Sequence, residues 1–176
     1  YKSVFAVILG TGVGAGYSVN KNIIVGPNKL TGEWGQNPIP GPMDEYEKSV
    51  KRHCGRVGAV EVFLSGPGLE NYYEHITKTK ISSRDIVSLY QENDSVAGEV
   101  MDVYFERIAR SFSTFVNILD PDVIVCGGGM SEIDEIYDEV PNRIIPYIAS
   151  NFFLTPIVKA THGSSSGVRG AAHLWN

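Results

Sequence analysis

Cysteine is scarce in this sequence, and long apolar runs are missing. Two cysteines, Cys54 and Cys126, in 176 residues cannot build a disulfide framework, and their scarcity points to a reducing, cytoplasmic setting. No hydrophobic segment approaches membrane-spanning length and the start does not read as a secretory signal, so no membrane partner is expected. A surplus of positive charge is lacking too. Fifteen Lys and Arg stand against 20 Asp and Glu, a net charge of -5, and the basic residues are dispersed, so no nucleic-acid partner is expected. Internal repeats and low-complexity tracts are likewise missing. What remains is ordinary globular composition, 43% hydrophobic and 20% charged, in a length that suits one domain with its own core. The chain opens on Tyr1 without an initiator Met and is at once in the apolar run Val4 to Leu9. A native terminus usually has a looser lead-in, so the expectation is a piece of a longer polypeptide.

Glycine, by contrast, is plentiful, with 19 residues, and it is clustered where strands end. Phe5 to Leu9 reads as a strand covered on both faces, followed by the stretch Gly10-Thr11-Gly12-Val13-Gly14-Ala15-Gly16. A period-two pattern on either side of Asn20-Lys21-Asn22 predicts a hairpin, so these glycines join strand to strand. A dinucleotide fingerprint or Walker loop must open a helix instead. Two readings stand for the stretch: a cradle of backbone N–H groups and the Thr11 hydroxyl for a phosphate, or a tight hairpin whose glycines only allow positive φ.

Further along, Gly26 to Pro42 is loop-rich, and Met43 to Val50 carries mixed charge and reads as a solvated face. Short helices are predicted over Ala59 to Ser65 and Gly68 to Ile76, and a third, capped by Ser82, runs through Gln91. Ser95 to Leu119 is the longest helix, with an apolar stripe at three- and four-residue spacing and Glu106 and Arg110 as an exposed i,i+4 pair. Asn93-Asp94 precedes it as an N-cap segment. Val123 to Cys126 is a buried-type strand running into Gly127-Gly128-Gly129, with Ser131 as the N-cap of a helix to about Ile148. Strand, glycine turn and helix in that order bring backbone against a nucleotide; the plainer reading is a close-packed turn. A last strand over Pro156 to Ala160 leads through His162 and a Ser/Gly cluster to a terminal helix, Val168 to Leu174. His162 is a candidate base only through the general aptitude of His for proton transfer.

Two segments place a carboxylate beside glycines, where backbone can approach a ligand: Gly32-Glu33-Trp34-Gly35-Gln36-Asn37-Pro38 and Cys54-Gly55-Arg56-Val57-Gly58-Ala59-Val60-Glu61. Taken alone, two separated glutamates read as solvated surface. Together with Asn117 to Val125 and Ser165-Ser166-Gly167-Val168-Arg169-Gly170-Ala171-Ala172, these segments resemble the ROK family (repressor, open reading frame, kinase), closest to its fructokinase/mannokinase branch. The resemblance spans nearly the whole chain.

The resemblance implies an α/β fold, the second lobe of the two-lobed actin/hexokinase (RNase H-like) ATPase architecture, a mixed sheet with flanking helices. It also implies ATP and Mg2+ as cofactors, a hexose (fructose first) as substrate, a homodimer, and a first lobe that would carry the catalytic Asp; no catalytic residue is expected here. By the same resemblance Gly10, Thr11 and Gly12 form a phosphate loop, Gly127, Gly128 and Gly129 lie beside the adenosine, and Glu33 and Glu61 hold sugar hydroxyls. Asn28 lies in the loop that closes over the sugar. Gln36 stands where relatives have a His that contacts sugar and, with three cysteines, binds a structural zinc; the cysteine positions here are Arg52, Cys54 and Ala59. One ligand of four cannot make a closed tetrahedral site, so no structural zinc is expected. The alternatives are a sugar-sensing transcriptional regulator of the same family, or a relative that binds sugar without turnover.

Overall fold

The computed structural model describes residues 1–172. Strand β1 (Ser3–Leu9) is central to a five-stranded mixed sheet with β2 (Val13–Val19), β3 (Asn22–Ile23), β4 (Val123–Gly127) and β5 (Ile157–Lys159), in the order β3-β2-β1-β4-β5. β1 runs antiparallel to β2 and parallel to β4, and β4 runs parallel to β5. Phe5, Val7 and Leu9 are buried while Ile8 is 38% exposed. The apolar run therefore behaves as an alternating strand, and the expectation of cover on both faces is corrected: among the described residues it is the Phe5-Val7-Leu9 side that is sealed. The hairpin forms as predicted, with Asn20 and Lys21 both at positive φ. Gly14 and Gly16 lie inside β2, so the connecting turn is shorter than the glycine-rich stretch that suggested it.

The helices are α1 (Glu45–Ser49), α2 (Glu61–Leu64), α3 (Gly66–Thr77), α4 (Ser83–Gln91), α5 (Ser95–Leu119), α6 (Glu135–Arg143) and α7 (Ser166–Ala172). The end of the predicted terminal helix, beyond Ala172, lies outside the described residues. Gly66-Pro67, left between the two predicted short helices, instead opens α3, with Ser65 accepting from the Gly68 amide; Pro fits a first helical turn because its missing N–H has no partner there anyway. α5 starts where the Asp94 carboxylate accepts from the Ala97 amide at 2.8 Å, and stops at Asp120 in a left-handed conformation ahead of Pro121. Its stripe packs on the sheet, with Phe115 stacked on Phe5 at 4.0 Å between ring centroids. Each such fully buried side chain contributes about 1.5–3 kcal/mol.

Three local readings change. Ser131 does not cap a long helix: it sits in a 3-10 turn over Gly129–Glu132, its hydroxyl donating to Gly128 O at 2.7 Å, and α6 starts only at Glu135. The solvated face over Met43 to Val50 contains Glu47, which is 1% exposed. Arg110, expected on the surface with Glu106, turns inward to it. Glu47 Oε1 accepts from Arg107 Nε at 2.9 Å and Arg110 Nη1 at 3.1 Å, and Arg110 also donates to Pro40 O at 2.8 and 2.6 Å. Glu106 accepts from the Tyr147 hydroxyl instead. Arg107 further lies over the Tyr72 ring at 4.2 Å and the Phe63 ring at 5.0 Å. One carboxylate and two guanidiniums thus join α1, α2, α3 and α5. Among the described residues, no helix is long and apolar enough to cross a membrane.

Two outcomes follow from this packing. Glu47→Ala strands two buried guanidiniums and should lower stability by about 3–5 kcal/mol, read as a fall in the urea unfolding midpoint. The cysteines differ as sharply. Cys126 is fully buried and burial pushes its thiol up to about 12. Cys54 is exposed, and the Arg56 backbone N–H donating to its sulfur holds its pKa below the ordinary thiol value. Because the thiolate is the nucleophile, iodoacetamide on the folded protein at neutral pH should label Cys54 and spare Cys126, as peptide mass mapping would show.

Candidate functional site

The parallel pairing of β1 with β4 sets Ile8 opposite Gly127, so the turns that follow both strands leave the sheet side by side at its carboxyl edge. A Cβ placed on Gly10 would lie 4.0 Å from the Gly129 amide nitrogen, which measures how closely the two turns meet. Gly128 has φ +92, and a Cβ there would come within 2.3 Å of Leu9 O, so only glycine is tolerated. Gly10 O accepts from the Gly66 amide at 2.8 Å, which brings the start of α3 to the same edge. Together these segments border a cleft of about 740 Å³ lined by Gly10, Thr11 and Gly129 and by Glu70, Arg84 and Gln91 from α3 and α4. The structure brings Gly10, Thr11, Gly12, Gly127, Gly128 and Gly129 together at one sheet edge.

Glu33 and Gln36 bound a 3-10 turn, Glu33–Gln36, laid flat against β2. The contact is too close for side chains. A Cβ on Gly32 would lie 1.8 Å from Ala15 O, and one on Gly35 2.4 Å from Val13 O. These glycines therefore serve backbone-to-strand packing, which corrects the reading that they bring backbone to a ligand. Trp34 anchors the turn, its ring edge-on to Phe112 at 5.9 Å and Phe115 at 5.5 Å. Glu33 is exposed and Gln36 half-buried. Asn28 sits exposed in a turn closed by the Lys29 amide donating to Gly26 O at 3.0 Å. No hydrogen bond among the described residues joins Asn28 to Glu33, Gln36 or Glu61.

Glu61, at the start of α2, is the point where the glycine turn after β1 and the Arg52–Gln36 pair meet. Its Oε2 accepts from the Val13 amide at 3.3 Å and would lie 2.9 Å from a Cβ on Gly12. A side chain on Gly12 would thus displace the Glu61 carboxylate from its present place. Its Oε1 accepts from Arg52 Nη2 at 2.8 Å, and Arg52 Nη1 donates to Gln36 Oε1. Arg52 thus ties Gln36 to Glu61, a role the sequence reading missed because it treated position 52 only as a lost cysteine. The signal was available in part: a cationic side chain between a glutamine and a glutamate invites a fork of two hydrogen bonds.

The residues here do not fit a zinc ion. No group of three or more His, Cys, Asp or Glu side chains with metal-binding proximity exists among the described residues. Of the cysteine positions only Cys54 remains, exposed to solvent, and a guanidinium, itself a cation, stands between Gln36 and Glu61. His162 is exposed, and among the described residues no hydrogen bond joins it to Gln36, Arg52 or Glu61.

Comparison with known proteins bears on the whole chain. The chain is 35% identical over 178 residues to an N-acetyl-D-glucosamine kinase of Yersinia enterocolitica, covering 99% of this chain and 59% of that protein. It is 38% identical over 176 residues to an N-acetyl-D-glucosamine kinase of Vibrio atlanticus, covering 98% of this chain and 58% of that protein. It thus spans about three fifths of the length of these relatives. In fold it is similar to a ROK hexokinase from Thermus thermophilus (TM-score 0.82, 21% identity, 97% of this chain and 56% of that one). It is similar also to a ROK family glucokinase from Streptomyces griseus in complex with glucose and AMPPNP (TM-score 0.84, 20% identity, 99% and 60%). These neighbours share the hexokinase-type α/β architecture that the sequence resemblance implied. The model of the ROK family matches residues 1–176, and the chain belongs to that family.

Proposed function

We propose that the protein carrying this chain is an ATP-dependent hexose kinase, to which residues 1–176 contribute the sugar shelf and part of the nucleotide site. The observation that carries the reading is Glu61, held against the Gly12-Val13 backbone. A sugar bound to that carboxylate would lie next to the glycine turn suited to phosphates, as phosphoryl transfer requires. ATP, with Mg2+, would supply the phosphoryl group. The paired turns would suit its phosphates: the Gly10 amide is used within its own turn, donating to Gly12 O at 3.0 Å, and the other glycines, without Cβ atoms, would let a phosphate approach the backbone. Glu61 and Glu33 would accept hydrogen bonds from sugar hydroxyls, Gln36 would add an amide, and Asn28 would approach only if its loop closes. The ROK resemblance assigns the general base to a first lobe, and proton abstraction is left to it.

Fructose, the sugar favoured by the sequence resemblance, gains no support from the relatives described above, both named N-acetyl-D-glucosamine kinases. Their names support N-acetylglucosamine as the first sugar to test. In a coupled ADP-release assay on the full-length protein with N-acetylglucosamine, glucose, mannose and fructose, the highest kcat/KM is expected for N-acetylglucosamine. Absence of turnover with every hexose would overturn the kinase reading. Glu61→Gln in the same assay should lower kcat/KM for sugar by about 10- to 100-fold, the scale of one or two charge-assisted hydrogen bonds, while the KM for ATP stays within about twofold.

A further inference from the structure

We propose that Arg52 is a positioning residue for sugar recognition: its guanidinium clips Glu61 and Gln36 into one preset pair of ligand-facing groups. The inference rests on the kinase reading in that the ligand is taken to be a hexose. The geometry behind it is local and complete. Arg52 has only 11% of its side chain exposed, and its two terminal nitrogens go to different acceptors, Glu61 Oε1 at 2.8 Å and Gln36 Oε1. Glu61 is then held at both oxygens, since Oε2 meets the Val13 amide. Neither oxygen can rotate away without breaking a bond, yet each keeps lone-pair capacity for a hydroxyl.

The clip also decides what Gln36 has to offer. An amide side chain presents an acceptor oxygen and a donor nitrogen, and the guanidinium, which has donors only, claims the oxygen. Gln36 is left with Nε2, a donor, which has no hydrogen-bond partner among the described residues. Its sugar contact must therefore be to an acceptor, such as an acetamido carbonyl or a hydroxyl lone pair. Glu61 is committed in the opposite sense, as an acceptor for hydroxyl donors. Arg52 thus sets one acceptor and one donor side by side.

The backbone that carries Arg52 is shaped for the task. The Arg52 amide donates to Arg56 O and the Gly55 amide to Arg52 O, both at 2.8 Å, with Gly55 at φ +83. Isolated bridges pair Lys51 with Val57 and Pro38 with Ala59. This small hairpin presents Arg52 across to the Gln36 turn on one side and to the start of α2 on the other. It does by charge and hydrogen bonding what a bound metal would otherwise do for such a knuckle. Lysine replaces it only in part, because an ammonium is a point charge without the planar fork.

The test is sugar binding to the full-length protein by titration calorimetry, with N-acetylglucosamine and glucose as probes, alongside steady-state kinetics. Arg52→Ala should weaken sugar binding about tenfold or more while leaving the KM for ATP within about twofold. Arg52→Lys should fall between it and the native protein. Millimolar methylguanidinium should restore part of the lost affinity to Arg52→Ala and do nothing for the native protein, an effect that a merely structural role would not give. Gln36→Glu keeps an acceptor for Arg52 but removes the donor, and should weaken N-acetylglucosamine binding. Equal sugar affinity in Arg52→Ala and the native protein overturns the clip and leaves the kinase reading standing. So does a loss that extends equally to ATP and shows no rescue. A native protein that binds neither probe and phosphorylates no hexose overturns both.

Discussion

One buried carboxylate holds the parts of this chain in register. Glu47 sits on a helix of five residues, too short to persist alone, yet it is bound by two guanidiniums from the longest helix in the molecule. That ion cluster fastens the proline-rich segment after Gln36 to α5 through the Pro40 and Pro42 carbonyls. Through Arg107 it reaches Phe63 on α2, two residues beyond Glu61, and the Tyr104 hydroxyl adds a bond to Leu64 O at 3.0 Å. The position of Glu61 is thus referred to α5, and α5 is referred to the sheet by its aromatic stripe. Burying three charges costs solvation that their mutual attraction only partly offsets. The arrangement is better understood as specifying where a short helix must sit than as a source of stability.

Elements with a strong local signal were legible in the sequence, and those decided by distant contacts were not. The stripe and caps of α5 lie in consecutive residues, so its limits could be read directly, as could the Ser82 cap of α4. The Asn20-Lys21 turn was legible for the same reason. Glu47 was not. Nothing near it in sequence distinguishes a charged helix face in solvent from one turned toward Arg107 and Arg110, sixty or so residues away. A hint existed on the other side: Arg107 lies three residues after Tyr104 and so falls on the apolar face of its own helix, where a cation demands a partner. Ser131 misled because a Ser ahead of acidic residues is a good cap in any local scheme; here its hydroxyl is consumed by Gly128 O.

The candidate site divides in the same way. The glycine turns were visible as clusters at strand ends, and the parallel pairing of β1 with β4 supplied the juxtaposition that sequence cannot express. The glycines around Glu33 were visible as well, but their reason was not: they exist because a turn lies on β2 with no room for a Cβ. Arg52 escaped notice because its importance lies in two partners sixteen residues before it and nine after it. A family pattern directs the eye to which ligands are gone, and a side chain that joins the same segments by hydrogen bonds has no place in such a pattern.

The two carboxylates proposed to meet the sugar differ in freedom. Glu61 is fastened at both oxygens, whereas Glu33 stands exposed on its turn with no side-chain hydrogen bond among the described residues. Immobilising a free, rotamer-rich side chain on association costs about 0.5–1.5 kcal/mol, a cost that falls on Glu33 and is largely absent at Glu61. A ligand meeting this shelf therefore encounters one rigid contact and one entropically adaptable one. On the kinase reading proposed above, changes in ring configuration at the Glu61 side would meet a fixed template, while changes at the Glu33 side could be followed by the protein.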